Sequence, residues 1–396
     1  MPPCSSLLEH KSYLLTPPYS HYLRAMASSM DSSLTLDTRK AAARPGIAAR
    51  TPRAPIADDR AMLRAAAELT RDLNAPRPLI YWGDTMASAL VGYGALAVAV
   101  SSVPVLVAIV AAIVSVLALY RAGSFIHELT HIKHSSVPGY RLGWNLMVGV
   151  PLMVPSFMYE GVHNLHHART RYGTIDDPEY LPLALMKPWT LPLFVVVAAL
   201  APIALLIRFA LLAPLSLVVP PLRRWLVAHG SGLKINPQFS RRPAEGTLRT
   251  QWLLQEAATS LWAIGLLALV ATGVIPLKGF LIFLAVTSGV TVINQVRTLV
   301  AHLWENEGEA MTVTAQYLDS VNVPPPSTLP VLWAPVGLRY HALHHLLPGV
   351  PYHALGEAHR RLAAALDAES PYHMGNHAGL LPLVGKIARS TMGGRR

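Results

Sequence analysis

The chain carries 17 histidines in 396 residues, and three clusters of them have spacings that matter chemically. His127-Glu128-Leu129-Thr130-His131 sets two imidazoles at i and i+4. His163-Asn164-Leu165-His166-His167 sets three at i, i+3 and i+4, and His341-Ala342-Leu343-His344-His345 repeats that pattern. On a helix each pattern brings its rings to one face. His302 stands apart, two residues before Trp304. A single i,i+4 pair reads as surface decoration, whereas three ordered clusters read as a ligand set. Packed imidazolium ions repel, so neutral rings around a cation are the stable arrangement. Nitrogen-rich sites suit zinc, copper, iron or nickel. Eight or nine ring ligands exceed the four of a zinc site, so two metal ions are implied.

Other chemistry fits less well. His127-Glu128-Leu129-Thr130-His131 is also an HExxH string, which in a zinc protease supplies two ligands and a general base. That reading leaves both HxxHH clusters unexplained. Glu128 and Glu160 each precede a histidine by three residues, as in carboxylate-bridged di-iron bundles. Such a bundle needs further inward glutamates, and the apolar segments offer only Glu256. A transporter would place ionisable groups within its crossing helices, but residues 85–120 contain none.

The elements that position these clusters are apolar. Hydrophobic residues form 52% of the chain and charged residues 14%, with mean hydropathy +0.36. Soluble domains carry about 25% charged residues, so the composition indicates a membrane protein. The uncharged run 85–120 exceeds the roughly 20 residues of one crossing, and Pro104 divides it. It predicts a hairpin of helices at about 81–100 and 104–125. A second hairpin is expected at about 255–275 and 279–302, turning at Pro276-Leu277-Lys278-Gly279. The stretch 188–222 holds six prolines and Arg208, and is expected to be interfacial or re-entrant because an arginine in mid-bilayer is costly.

The expected fold is therefore all-α: a multi-pass membrane protein with two helical hairpins and a cytoplasmic, histidine-rich helical cap. Residues 1–75 read as a basic, partly disordered segment, 76–365 as the membrane domain and 366–396 as a C-terminal tail. An approach helix is expected near 57–73. Met26 or Met30 are alternative starts, and Cys4 has no partner in sequence. The net charge of +11 is concentrated beside the apolar runs, as the positive-inside rule requires, and no aromatic-interleaved basic stripe points to nucleic acid.

The three ordered clusters, with two membrane hairpins, resemble the membrane fatty acid desaturase superfamily of desaturases and hydroxylases. The likeness covers about residues 81–362. It includes Arg171-Tyr172-Gly173-Thr174-Ile175-Asp176-Asp177-Pro178-Glu179-Tyr180 and His345-Leu346-Leu347-Pro348-Gly349-Val350-Pro351-Tyr352-His353. The resemblance implies two iron ions that activate O2 and abstract hydrogen from an unactivated C–H bond. Carried over by position, His127, His131, His163, His166, His167, His341, His344 and His345 would be ligands, with His302 as the ninth. His134 is a further ligand or neighbour. Asp176, Asp177 and Asp319 are candidates to orient ligating rings, which usually donate their other N–H to a carboxylate.

By this resemblance the reaction is a desaturation of a long acyl chain, with hydroxylase, ketolase or alkane-type monooxygenase chemistry as the alternative. The substrate would be a long-chain acyl lipid, and Arg223, Arg224, Arg241 and Arg242 could hold a phosphate head group. The sequence holds no fused cytochrome b5 signature, cysteine quartet or dinucleotide fingerprint. Electrons would come from a separate ferredoxin, rubredoxin or cytochrome b5. The Ala/Arg/Pro-rich composition suggests a bacterial inner membrane, with the active site on the cytoplasmic side.

Overall fold

The computed structural model describes residues 56–183 and 186–393. The basic stretch 1–55, including Cys4, Met26 and Met30, lies outside the described residues. Among those described, the secondary structure is helical, with only isolated bridges such as His302 to Ser320.

Five helices are long and apolar enough to cross a membrane. Two of them, α2 (Pro78–Val100) and α3 (Val105–His131), form the first hairpin. Each runs past its expected limits, α2 by starting at Pro78 and α3 by continuing to His131. At 1.5 Å per residue, the 27 residues of α3 span about 40 Å, some 10 Å beyond a hydrocarbon core. That surplus length carries His127 and His131 beyond the apolar part of the helix. The two helices approach closely because Gly92 has no Cβ; one added there would lie 2.6 Å from Leu119. Ser115 Oγ donates to the Gly92 carbonyl at 2.9 Å.

The stretch expected to be interfacial or re-entrant is helical. It folds as one helix, α5 (Thr190–Ser216), with a single π turn at Arg208–Leu212. Arg208 is tolerated because it is paired. It donates to Glu256 Oε1 at 2.8 Å and to Gly230 O at 2.8 Å, with its guanidinium 4.1 Å from the Phe209 ring. The short helix α6 (Pro220–Gly230) returns beside it and brings Arg223 to the other Glu256 oxygen at 2.5 Å. A charge that would be costly alone becomes a buried, hydrogen-bonded pair.

The pair expected as a second hairpin forms α7 (Gly246–Ala271) and α8 (Leu277–Leu299), with α8 packed mainly on α5 and α3 rather than along α7. It starts earlier and ends earlier than the expected 255–275 and 279–302. Helix-favouring Arg249, Gln251 and Gln255 extend α7 backward, and α8 stops three residues short of His302. Exposed side chains such as Val105, Leu106, Leu217 and Leu261 form apolar outer faces that water would not cover.

Short elements sit on one end of this bundle: α4 (His163–His166), α9 (Val313–Asp319), α10 (His341–Leu346) and α11 (Leu355–Ala365). The approach helix is α1 (Arg60–Leu69), capped by Asp59, with Met62 and Ala66 buried against Ala358 and Leu362. The C-terminal segment also packs. Helix α12 (Leu380–Gly393) buries Leu383 and Ile387 in a cluster with Tyr172, Tyr180 and Trp304.

Candidate metal centre

Four separate elements deliver the histidines. His127 and His131 end α3, and His163 to His167 form and cap α4. His341, His344 and His345 lie on α10, while His302 follows α8 in a bridge with Ser320. The tertiary fold sorts these nine rings into two groups. His127, His131, His163, His167 and His344 form one, and His166, His302, His341 and His345 the other, each with candidate ligand atoms within 4.8 Å of one another. The groups adjoin, with the His167 and His345 rings stacked at 4.2 Å. Each HxxHH cluster is thus divided between the groups, which one helical face would not suggest.

The ring nitrogens face inward. Nε2 of His167 lies 2.9 Å from that of His163, and Nε2 of His344 lies 3.1 Å from that of His131. In the other group His341 Nε2 is 3.0 Å from His302 Nε2 and 3.2 Å from His345 Nε2. Two nitrogens each about 2.1 Å from one ion, at a right angle, stand about 3.0 Å apart. The separations therefore fit shared transition-metal ions. Both nitrogens of buried His127 lack any hydrogen-bond partner, a costly condition that an ion would relieve.

Outer partners fix three tautomers. Asp177, fully buried, accepts from His166 Nδ1–H at 2.9 Å, from Gly173 N–H at 2.8 Å and from Glu179 N–H at 2.8 Å. Gly173 holds φ +71° here, and a Cβ would strike Asn306. Tyr159 donates to Glu179, whose other oxygen accepts from His163 Nδ1–H at 2.8 Å. Tyr172 donates to Asp319 at 2.9 Å, so its oxygen accepts from His302 Nδ1–H at 2.8 Å. In each case the proton sits on Nδ1 and the Nε2 lone pair points inward.

Protonation agrees with this. Burial, reinforced by neighbouring rings, holds His163, His167, His302, His341, His344 and His345 well below the usual histidine range. His166 is the exception. Burial opposes its charged form, but the charge and hydrogen bond of Asp177 outweigh burial and raise its pKa. Burial also raises Glu179 to about 7 and Asp319 to about 6.

Of the remaining candidates, Asp177 touches a ring directly and Asp319 acts one step out through Tyr172. Asp176 is exposed and lies outside the cluster. His134 belongs to neither group; its Nε2 lies 3.2 Å from Arg141 Nη1. Glu128 is held by Tyr81 at 2.5 Å and by the Tyr352 N–H at 3.1 Å. As an HExxH general base it would have to leave both partners. Arg223 pairs with Glu256, and Arg241 is spent on the carbonyls of Phe157, Ser231 and Glu160.

Glu179, Tyr159, Tyr172 and Ser320 were not singled out by spacing. Glu179 and Tyr172 lie in the family-like run after the second cluster, the one signal that pointed near them.

A cavity of 680 Å³ reaches His127 from between α3, α5 and α8. Leu193, Val197, Leu205, Val290 and other apolar side chains form most of its wall. Its volume is that of a small-ligand pocket, and its lining suits an alkyl chain.

The chain is 50% identical over 336 residues to a ceramide hydroxylase of Caulobacter vibrioides (strain NA1000 / CB15N), covering 85% of this chain and 95% of that relative. A family model described as fatty acid desaturase matches residues 101–376, more than half of the chain. Together with the histidine groups and the five apolar helices, these matches show that the chain belongs to the fatty acid desaturase family of membrane oxidoreductases.

Proposed function

We propose that the chain is a membrane lipid hydroxylase acting on a ceramide-like substrate, with two iron ions held by the five- and four-histidine groups. The expectation of a desaturase gives way here to its alternative, because the named relative is a hydroxylase at 50% identity. That similarity is the observation that carries the reading; the apolar cavity ending at His127 supports it. Overall, a C–H bond, O2, two electrons and two protons give an alcohol and water. Iron bound by the nine rings would supply the O2 activation and hydrogen abstraction.

The chain's own residues do the rest. Neutral rings present lone pairs because burial suppresses their protonation, and Asp177, Glu179 and Tyr172 fix the ring orientations. The cavity wall excludes water and lays an alkyl chain beside His127. Electrons would arrive from a separate ferredoxin, rubredoxin or cytochrome b5. We place α2, α3, α7 and α8 across a bacterial inner membrane, with α5 and α6 entering and returning on one side, so that all nine histidines lie at the cytoplasmic face, and 76–365 as the catalytic domain.

The test supplies purified, iron-loaded protein with ceramide, reductant and isotopically labelled O2. Mass spectrometry should find a product carrying one labelled oxygen. A product lacking two hydrogens and carrying no label would return the chain to desaturase chemistry.

A further inference from the structure

Arg297 stands out on the cavity wall. It is 8% exposed, near the end of α8, and lines the same cavity as His127. No carboxylate among the described residues lies within ion-pair distance of it, which is unusual for a buried guanidinium. It lies against the Tyr120 hydroxyl, and its Nη2 is 3.4 Å from Asn294 Oδ1, a long contact. Its Nε has no partner at all. The other wall cation, Lys234, donates to the Phe239 carbonyl. Arg297 is also close enough to the histidine groups to count among the charges that lower His302 and His341.

We infer that Arg297 binds an acceptor oxygen of the lipid head, an amide carbonyl or hydroxyl, beside the metal centre. This rests on the lipid-oxygenase reading and adds where on the chain oxidation falls. A buried donor with spare N–H capacity takes an acceptor, and a polar lipid group has no other unspent cation on this wall. The alkyl chain then fills the apolar length between α5 and α8. The polar end therefore lies next to His127, and the oxidised carbon is within a few bonds of the head rather than near the methyl end.

Binding tests this without turnover. The full-length protein as purified, with reductant withheld, is titrated with a long-chain N-acyl amino alcohol and with the alkane of equal carbon count. The readout is fluorescence of Trp144 and Trp189, which line the cavity. Wild-type protein should prefer the amide, and Arg297→Leu should lose about 10–100-fold of that preference, as expected for a hydrogen bond to a charged group. Arg297→Lys should keep most of it. Equal affinities for both lipids in wild-type protein, or an undiminished preference in Arg297→Leu, overturns the assignment. Should Arg297→Leu fail to fold, Arg297→Lys decides, and equal affinities for the amide and the alkane in that variant overturn the assignment as well. Independently, the wild-type product should carry its new oxygen close to the head by tandem mass spectrometry; a mid-chain or terminal position overturns the inference while leaving the hydroxylase reading intact.

Discussion

The two histidine groups use the same residue type a few ångströms apart, yet they are held differently. In the four-histidine group every ring is buried, and two of the four are oriented from outside, His166 by Asp177 and His302 by Tyr172 with Asp319 behind it. In the five-histidine group His131 and His167 are only partly buried, and His163 alone has an outer carboxylate. His127 of this group faces the apolar cavity. One group is thus anchored in a closed core, and the other forms part of the cavity wall. A site that must admit a chain gives up outer support on the side where the chain arrives.

The strongest way to break that contrast is to remove one ring from each group. His345→Ala leaves three rings in the closed group, and metal content by mass spectrometry should fall from two ions per chain toward one. His131→Ala leaves four rings in the open group and should retain both ions through dialysis. Equal losses would mean that the groups are not independent sites.

Outer partners come next. Asp177→Ala should weaken metal binding by about 10–100-fold, the usual effect of removing such a carboxylate. Glu179→Ala should fall at the lower end of that range, because the Tyr159 hydroxyl is also 2.9 Å from His163 Nδ1. A larger loss for Glu179→Ala would reverse the ranking of the two groups.

The pH dependence of the chelator-stripped protein is a further test. Six rings have folded pKa values below the unfolded value of about 6.5, so below that pH the unfolded chain binds protons the folded one excludes. Their contribution is steady above pH about 6.5 and falls as the pH drops, by up to about 1.4 kcal/mol per ring per unit. His166, raised by Asp177, works in the opposite direction, as do the raised carboxyl groups of Glu179 and Asp319, three groups against six. Melting temperature should therefore decline steeply below pH about 6.5, and a flat profile would show that the metal-free rings are solvated.

The smallest effect belongs to the residues outside both groups. His134→Ala and Asp176→Ala should change metal affinity by no more than about 0.5 kcal/mol, the range of ordinary surface substitutions. A larger loss in either would extend the centre beyond the nine rings.

Much of this was legible in the chain. The i, i+3, i+4 spacings of His163, His166, His167, His341, His344 and His345 mark a ligand set without reference to any structure, since local helical geometry is all they need. The first hairpin was legible because 36 uncharged residues leave little else possible. The partner of Arg208 was not legible, because Glu256 is 48 residues away and no local pattern announces the pair. Glu179 was quoted in a family-like run but given no role, because its tie to His163 depends on a turn set by Gly173 and Asp177.

The sequence by itself determined that three histidine clusters with the spacing of a ligand set stand beside membrane-length apolar segments. Residue type sets the ligand chemistry, and short-range periodicity sets the local face. Only the tertiary structure decided how the nine rings divide five and four, which carboxylate orients which ring, and that Arg297 faces a cavity without a counter-charge. Those features join residues tens to hundreds of positions apart, and such contacts depend on how helices pack rather than on any local pattern.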